Sequence, residues 1–175
     1  MTHFEKEWIL FTPGIIPALN FIVEMFCNPG DKVIVQSPVY YPFANIITNN
    51  GCHIANNPLV FKNGKYEMNF SELERIAQDS RTKLMFLCSP HNPVGRVWTA
   101  EELQRLGEIY LENNVLVVSD EIHSDLIYQP NRHIPFGKIS EEFKMNSIVC
   151  TSPSKTFNLT GLHISDIIIL NRKNS

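Results

Sequence analysis

Four stretches of the chain run apolar and then turn abruptly polar: 33–38 (VIVQSP), 84–90 (LMFLCSP), 115–121 (VLVVSDE) and 148–153 (IVCTSP). An unbroken apolar run, as opposed to an alternating one, marks a strand covered on both faces, the habit of parallel sheets flanked by helices. Helical periodicity fills the intervals. Residues 99–113 open with Thr99 and Glu102 at capping-box spacing and carry Leu103, Leu106 and Tyr110 at helical intervals. Residues 71–78 begin with the pair Ser71 and Glu74, and 17–27 predict a third helix with Pro17 in its first turn and Asn28-Pro29-Gly30-Asp31 ending it. Residues 164–170 read as a further strand, and Lys62-Asn63-Gly64-Lys65 predicts the turn of a small hairpin inside the excursion 56–69. The alternation predicts an α/β class, a three-layer α/β/α arrangement on a mainly parallel sheet. In such sheets ligands sit beyond the carboxyl ends of the strands, so the four polar ends are expected to converge on one site.

Composition narrows the options. A length of 175 residues suits one domain, and 43% apolar with 19% charged residues is a globular profile. A net charge of −3 with scattered Lys and Arg gives no footprint for nucleic acid. No apolar run approaches the ~20 residues that span a bilayer, and the opening MTHFEKEW leads into no signal-like segment, so a cytoplasmic location is expected. Cys27, Cys52, Cys88 and Cys150 form no C-x-x-C pair and are expected to be free buried thiols.

The strand ends carry the chemistry. Ser89-Pro90-His91-Asn92-Pro93-Val94-Gly95 is either an ordinary tight connection or a rigid loop presenting the Asn92 amide. Asp120 closes a buried strand, where a carboxylate is costly unless it meets a cation or a strong donor. A magnesium-holding nucleotide-hydrolase strand would require a G-x-x-x-x-G-K-[ST] loop, which the chain lacks; metal binding by Asp120 and His123 would lack a third ligand. Lys155 in Ser152-Pro153-Ser154-Lys155 is either a solvated loop lysine or an amine desolvated at a strand mouth, its pKa lowered, and fit for Schiff-base chemistry. In Thr12-Pro13-Gly14-Ile15-Ile16-Pro17, only the backbone N–H groups of Ile15 and Ile16 could serve an anion, at a helix start.

Taken in order, PGIIPAL, PGDKVIVQSPVYYPF, CSPHNPVGRVWT, VVSDEIHSDL and SPSKTFNLTGL resemble the pyridoxal-phosphate enzymes of fold type I, aminotransferase class I/II, and most closely the cystathionine β-lyase or C–S lyase branch. The resemblance covers nearly the whole chain. It implies pyridoxal 5'-phosphate as cofactor, with Lys155 bonded to its aldehyde and later acting as base at the substrate Cα. Asp120 would then pair with the ring nitrogen, Asn92 with the ring hydroxyl, and Tyr40 would stack on the ring. Ser152, Ser154 and the Ile15 and Ile16 amides would hold the phosphate. His163 stands where aminotransferases usually carry an arginine for the phosphate, and His123 where many relatives have a tyrosine, which favours the lyase branch. The resemblance further implies that residues 1–175 are the large cofactor-binding domain, without the N-terminal arm and C-terminal small domain of a homodimeric parent, in a truncated or split gene product. The activity implied is α,β-elimination of a cysteine thioether; the alternatives are an aminotransferase and a catalytically deficient, cofactor-binding or interaction remnant.

Overall fold

The computed structural model describes residues 6–170. In chain order the strands and helices are β1 (Ile9–Thr12), α1 (Ile15–Phe26), β2 (Lys32–Val35), α2 (Pro42–Asn49), β3 (His53–Asn56), β4 (Val60–Lys62), β5 (Lys65–Glu67), α3 (Phe70–Ala77), β6 (Thr82–Cys88), α4 (Ala100–Glu112), β7 (Leu116–Asp120), α5 (Glu141–Met145), β8 (Ser147–Thr151), α6 (Pro153–Thr156) and β9 (Ser165–Ile169). Seven strands form one sheet in the order β1-β9-β8-β7-β6-β2-β3, and β4 with β5 form the small hairpin, its turn made by Asn63 and Gly64 at positive φ.

The four apolar-then-polar runs are the four central strands, each slightly shorter at its polar end than the sequence pattern suggested. Pairings β2–β3, β2–β6, β6–β7 and β7–β8 are parallel. The last strand departs from that pattern: β9 lies antiparallel to both β8 and β1, so the sheet is mixed at that side. The reversal is a matter of length. Only the short α6 and a 3₁₀ turn at Thr160–Leu162 separate β8 from β9, too little chain for the crossover helix a parallel strand needs.

Two cores lie on the two faces of the sheet. On one, Leu19, Val23, Phe43, Ile47, Phe86 and Val118 pack beneath α1 and α2; on the other, Leu73, Met85, Leu103, Leu106, Tyr110 and Val117 pack beneath α3 and α4. Each such side chain contributes about 1.5–3 kcal/mol when removed from water. The capping box of α4 is present as the sequence suggests: Glu102 N–H donates to Thr99 Oγ1 at 3.2 Å, and Thr99 N–H to Glu102 Oε2 at 2.8 Å. The start of α3 differs. Asn69, not Ser71, is the cap, its Oδ1 accepting from both Glu72 N–H and the Ser71 hydroxyl. Cys52, Cys88 and Cys150 are free and buried as expected, but Cys27, at the C-terminal end of α1, is only partly covered.

Among the described residues no helix is long and apolar enough to cross a membrane. Several large apolar side chains are exposed, among them Phe11 at 77% and Leu162 at 69%. Gly107 faces α5 so closely that a Cβ there would overlap the ring of Phe143, which is stacked on Phe136 with centroids 5.6 Å apart. Gly107→Ala is therefore expected to destabilise the fold by about 1–3 kcal/mol through overpacking, seen as a lower urea midpoint with an unchanged slope.

Candidate active site

At the carboxyl ends of β2, β6, β7 and β8, closed on one side by the start of α1, is a cavity of about 510 Å³. It is lined by all of Ile15, Ile16, Tyr40, Asn92, Asp120, His123, Ser152, Ser154 and Lys155. Parallel strands ending on one side of a sheet bring these residues together although 140 positions separate Ile15 from Lys155.

Asp120 is the last residue of β7, 4% exposed, with one hydrogen bond recorded, from Ile122 N–H to Oδ1 at 3.3 Å. Burial is the main reason its carboxyl is pushed up to about 7; the neighbouring Glu121 charge adds to the rise, while the Ile122 bond and the Lys155 charge oppose it. Among the described residues no ion pair reaches Asp120, and of the expected cation or strong donor only the Ile122 N–H is present. Glu121 points elsewhere: Ser119 Oγ and Phe136 N–H donate to its Oε1, both at 2.9 Å, and His133 Nε2 lies 2.8 Å from Oε2. That buried cluster ties the excursion between Glu121 and Phe136 to the end of β7, which sets the place of His123. Partial burial, and next the charge of Lys155, hold the His123 imidazole below its ordinary pKa, so it is neutral at pH 7.

Two loops flank this floor, and a partly buried hydrogen bond joins them. His91 Nε2 lies 3.0 Å from the carbonyl oxygen of Pro38; a carbonyl only accepts, so Nε2 carries the proton. His91 is 2% exposed and meets Trp98 edge-on, and burial holds its pKa down. Asn92 is seated from below, its backbone N–H donating to Cys88 Sγ at 3.3 Å while the Cys88 thiol bonds to the Pro90 carbonyl at 3.4 Å. Across the gap Tyr40 packs edge-on against Phe43 at 5.8 Å. Its phenol is shifted up, by burial first and then by Tyr41 and Asp120, and so stays protonated.

At the third wall α1 begins. Gly14 takes φ 102°, a conformation open to glycine, and its own N–H goes to the Thr12 carbonyl at 2.8 Å. The N–H groups of Ile15 and Ile16 belong to the first turn, which a helix cannot satisfy from within, and Pro17 has none to offer. His163 closes this corner: a Cβ built on Gly14 would lie 3.9 Å from His163 Nδ1.

The serines and the lysine differ from expectation in one respect each. Ser152 Oγ bonds to the carbonyl of Ile164 at 2.7 Å, which takes its single proton; the 2.8 Å contact with Ser154 is then a donation by Ser154. Ser152 also caps α6 by accepting from Ser154 N–H at 3.1 Å. Both hydroxyl protons are thus used inside the chain. Lys155 lines the cavity, but it is exposed and not desolvated as its place after a buried strand suggested, because the chain turns outward into α6 directly after β8. Sequence reasoning passed over Cys88, Ile122, Thr160 and Ser165, which also line the cavity. Cys88 lies within the run 84–90 and Ile122 directly after 115–121, so nearness to a strand end was the available signal for both, whereas only the antiparallel return of β9 brings in the others. Among the described residues no group of three or more His, Cys, Asp or Glu side chains is disposed to hold a metal ion.

A family model described as "Aminotransferase class I and II" matches residues 1–172. Cystathionine beta-lyase PatB of Bacillus subtilis (strain 168) is 49% identical over 166 residues, which are 95% of this chain and 43% of that protein. An aspartate aminotransferase of Bacillus sp. (strain YM-2) is 33% identical over 165 residues, 93% of this chain and 41% of its own length. Among solved structures, cystalysin from Treponema denticola, which contains a pyridoxal 5'-phosphate cofactor, superposes with a TM-score of 0.96 at 43% identity, covering 98% of this chain and 43% of that one. The chain thus spans less than half the length of these relatives.

Replacing Asp120 tests the electrostatics directly. A carboxyl whose folded pKa lies above its unfolded value adds stability that is fully present below about 4 and lost as pH rises through about 7. Asp120→Asn is therefore expected to flatten the fall in unfolding free energy between pH 4 and 8 by roughly 4 kcal/mol, three pKa units at 1.36 each, measured by urea titrations at a series of pH values.

Proposed function

The chain belongs to the aminotransferase class I and II family, and from that premise we propose that it forms the cofactor-holding part of a pyridoxal-phosphate-dependent C–S β-lyase. The reaction proposed is elimination of a cysteine thioether, with water, to a thiol, ammonia and pyruvate. The observation that carries the reading is one cavity holding both a buried carboxylate short of donors, Asp120, and a primary amine, Lys155. Because the relatives are more than twice as long, the activity is proposed for a protein of their length, to which this chain contributes the cofactor side.

The residues suit the group. When bound, pyridoxal 5'-phosphate supplies an aldehyde for an amine and a protonated ring that accepts the electron pair left at the substrate Cα. Asp120, in its ionised form, would accept the ring N–H, and its negative charge would stabilise the protonated ring nitrogen, a partner that would also relieve the cost of its burial. Tyr40 would cover one ring face, and the Asn92 amide and His123, which line the same cavity, would meet the ring hydroxyl. The Ile15 and Ile16 N–H groups would hold the phosphate. Ser154 joins them if its hydroxyl turns away from Ser152, whereas Ser152 holds Ile164 and α6 in place. Lys155, free to move at the rim, takes the Cα proton.

Identity of 49% to a cystathionine beta-lyase, against 33% to an aspartate aminotransferase, supports elimination over amino transfer. Transamination is the second reading, favoured by that same aminotransferase likeness. Cystathionine supplied without any oxo acid separates them: the lyase releases pyruvate and an aminotransferase does not. Borohydride treatment after addition of the cofactor is expected to leave a pyridoxyl label on Lys155. Lys155→Ala is expected to remove the label and to lower pyruvate release by about 10²–10⁴-fold. A label found elsewhere overturns the reading, and a label on Lys155 without pyruvate from a protein of the relatives' length leaves a binding role only.

A further inference from the structure

Cys27 and Cys52 lie away from the cavity, at the far end of α1, and neither has a part in the chemistry above. Two chain segments meet there. The segment 27–31 leaves the C-terminus of α1, and the segment 50–53 leaves α2 and enters β3. They are joined by backbone bonds from Gly30 N–H to the Gly51 carbonyl at 2.9 Å and from His53 N–H to the Asp31 carbonyl at 2.8 Å. Gly51 lies against Pro29 so closely that an added Cβ would be 3.3 Å from the Pro29 Cβ. Within this seam Cys52 Sγ is 3.6 Å from the carbonyl oxygen of Asn28, the residue after Cys27. The two thiols are near enough that each shifts the other's titration. Cys27 is partly exposed, whereas Cys52 is buried behind it.

From this arrangement we propose that Cys27 and Cys52 are a dithiol that low-molecular-weight disulfides convert to an intramolecular disulfide, locking the C-terminal end of α1 to the α2–β3 connection. The Cys27 thiolate attacks one sulfur of the external disulfide, forming a mixed disulfide and expelling one thiolate. Cys52 loses its proton to solvent and attacks the Cys27 sulfur, expelling the second thiolate. Two protein thiols are oxidised by two electrons, and one external disulfide is reduced to two thiols. The order of attack follows from exposure, since only Cys27 meets a solute. Side-chain rotation within the seam is the movement that brings the two neighbouring sulfurs to bonding distance, and the backbone bonds hold the segments while it happens.

The other cysteines are an internal control. Cys88 and Cys150 both stand opposite Asp120, on the two strands that flank β7. They are therefore about two strand spacings apart, beyond disulfide reach. Reactivity has a pH signature as well. Burial, then the neighbouring Cys52 and Asp31, push the Cys27 thiol up to about 12. Its thiolate fraction, and with it the rate of the first step, grows about tenfold per pH unit across the neutral range.

The test uses the purified 175-residue chain, natively folded, with oxidised glutathione as the probe. After quenching with a maleimide, intact mass and peptide mapping are expected to show a Cys27–Cys52 linked peptide and about 2 Da lost, with formation about tenfold faster at pH 8.5 than at pH 7.5. Cys52→Ser should accumulate one glutathione on Cys27, and Cys27→Ser should take up none in the same time. A glutathione adduct that persists on Cys27 of the unmodified chain, a linkage involving Cys88 or Cys150, or no oxidation at pH 8.5 overturns the proposal. Because the readout is covalent mass at a site remote from the cavity, it is independent of cofactor binding and of the proposed lyase activity.

Discussion

The burial of one carboxylate at the end of β7 organises the cavity. Placing Asp120 where it is 4% exposed with a single recorded backbone donor costs the fold, and the cost appears as a proton affinity raised to about 7. Such a group favours a partner that brings its own N–H or positive charge. The rest of the site can be read as the means of holding that unsatisfied group in a fixed place. β6 and β8 flank β7 in register, Cys88 and Cys150 stand directly opposite Asp120, and the adjacent Glu121 is secured by three bonds of its own. Among the described residues the carboxylate facing the cavity has one backbone donor, while the next one along the chain accepts from or meets three groups.

Around that floor the walls are joined by single polar contacts. His91 links the loop bearing Asn92 to the loop bearing Tyr40, and Ser152 links the start of α6 to Ile164 before β9. The Ser152 contact extends the β8–β9 ladder by one step beyond Thr151 and Asp166, whereas the His91 contact spans two loops at the ends of β6 and β2.

Much of this was legible in one dimension, for a physical reason. Strands buried on both faces need no alternation, so β2, β6, β7 and β8 appear as solid apolar runs, and their polar ends mark where chemistry can reside. α4 was legible because its capping box and its apolar stripe agree. Less could be read where local chemistry admits several solutions. Asn69 and Ser71 are both capping residues, and only the three-dimensional turn decides that Asn69 reaches Glu72. α2 starts at Pro42 with no side-chain cap to announce it, and it is helical because Phe43, Ile46 and Ile47 pack on the sheet. Ile15, Ile16, Asn92, Asp120, His123, Ser152, Ser154 and Lys155 stand out in the sequence because they lie close to a strand end or helix start, whereas Tyr40 was indicated by the family resemblance alone. The exposure of Lys155 and the internal use of the serine protons were not legible, since both depend on how α6 turns away from β8.

The antiparallel return of β9 has a further effect. It places β1 at the rim of the sheet, with Ile9 to Thr12 paired on one side only among the described residues. That rim strand is short and apolar, and it bears the exposed Phe11 in place of the charge or proline that commonly guards such margins. Among the described residues, this edge leaves N–H and C=O groups on which another extended segment can continue the ladder. The same reversal that opens it brings Thr160 and Ser165 to the cavity.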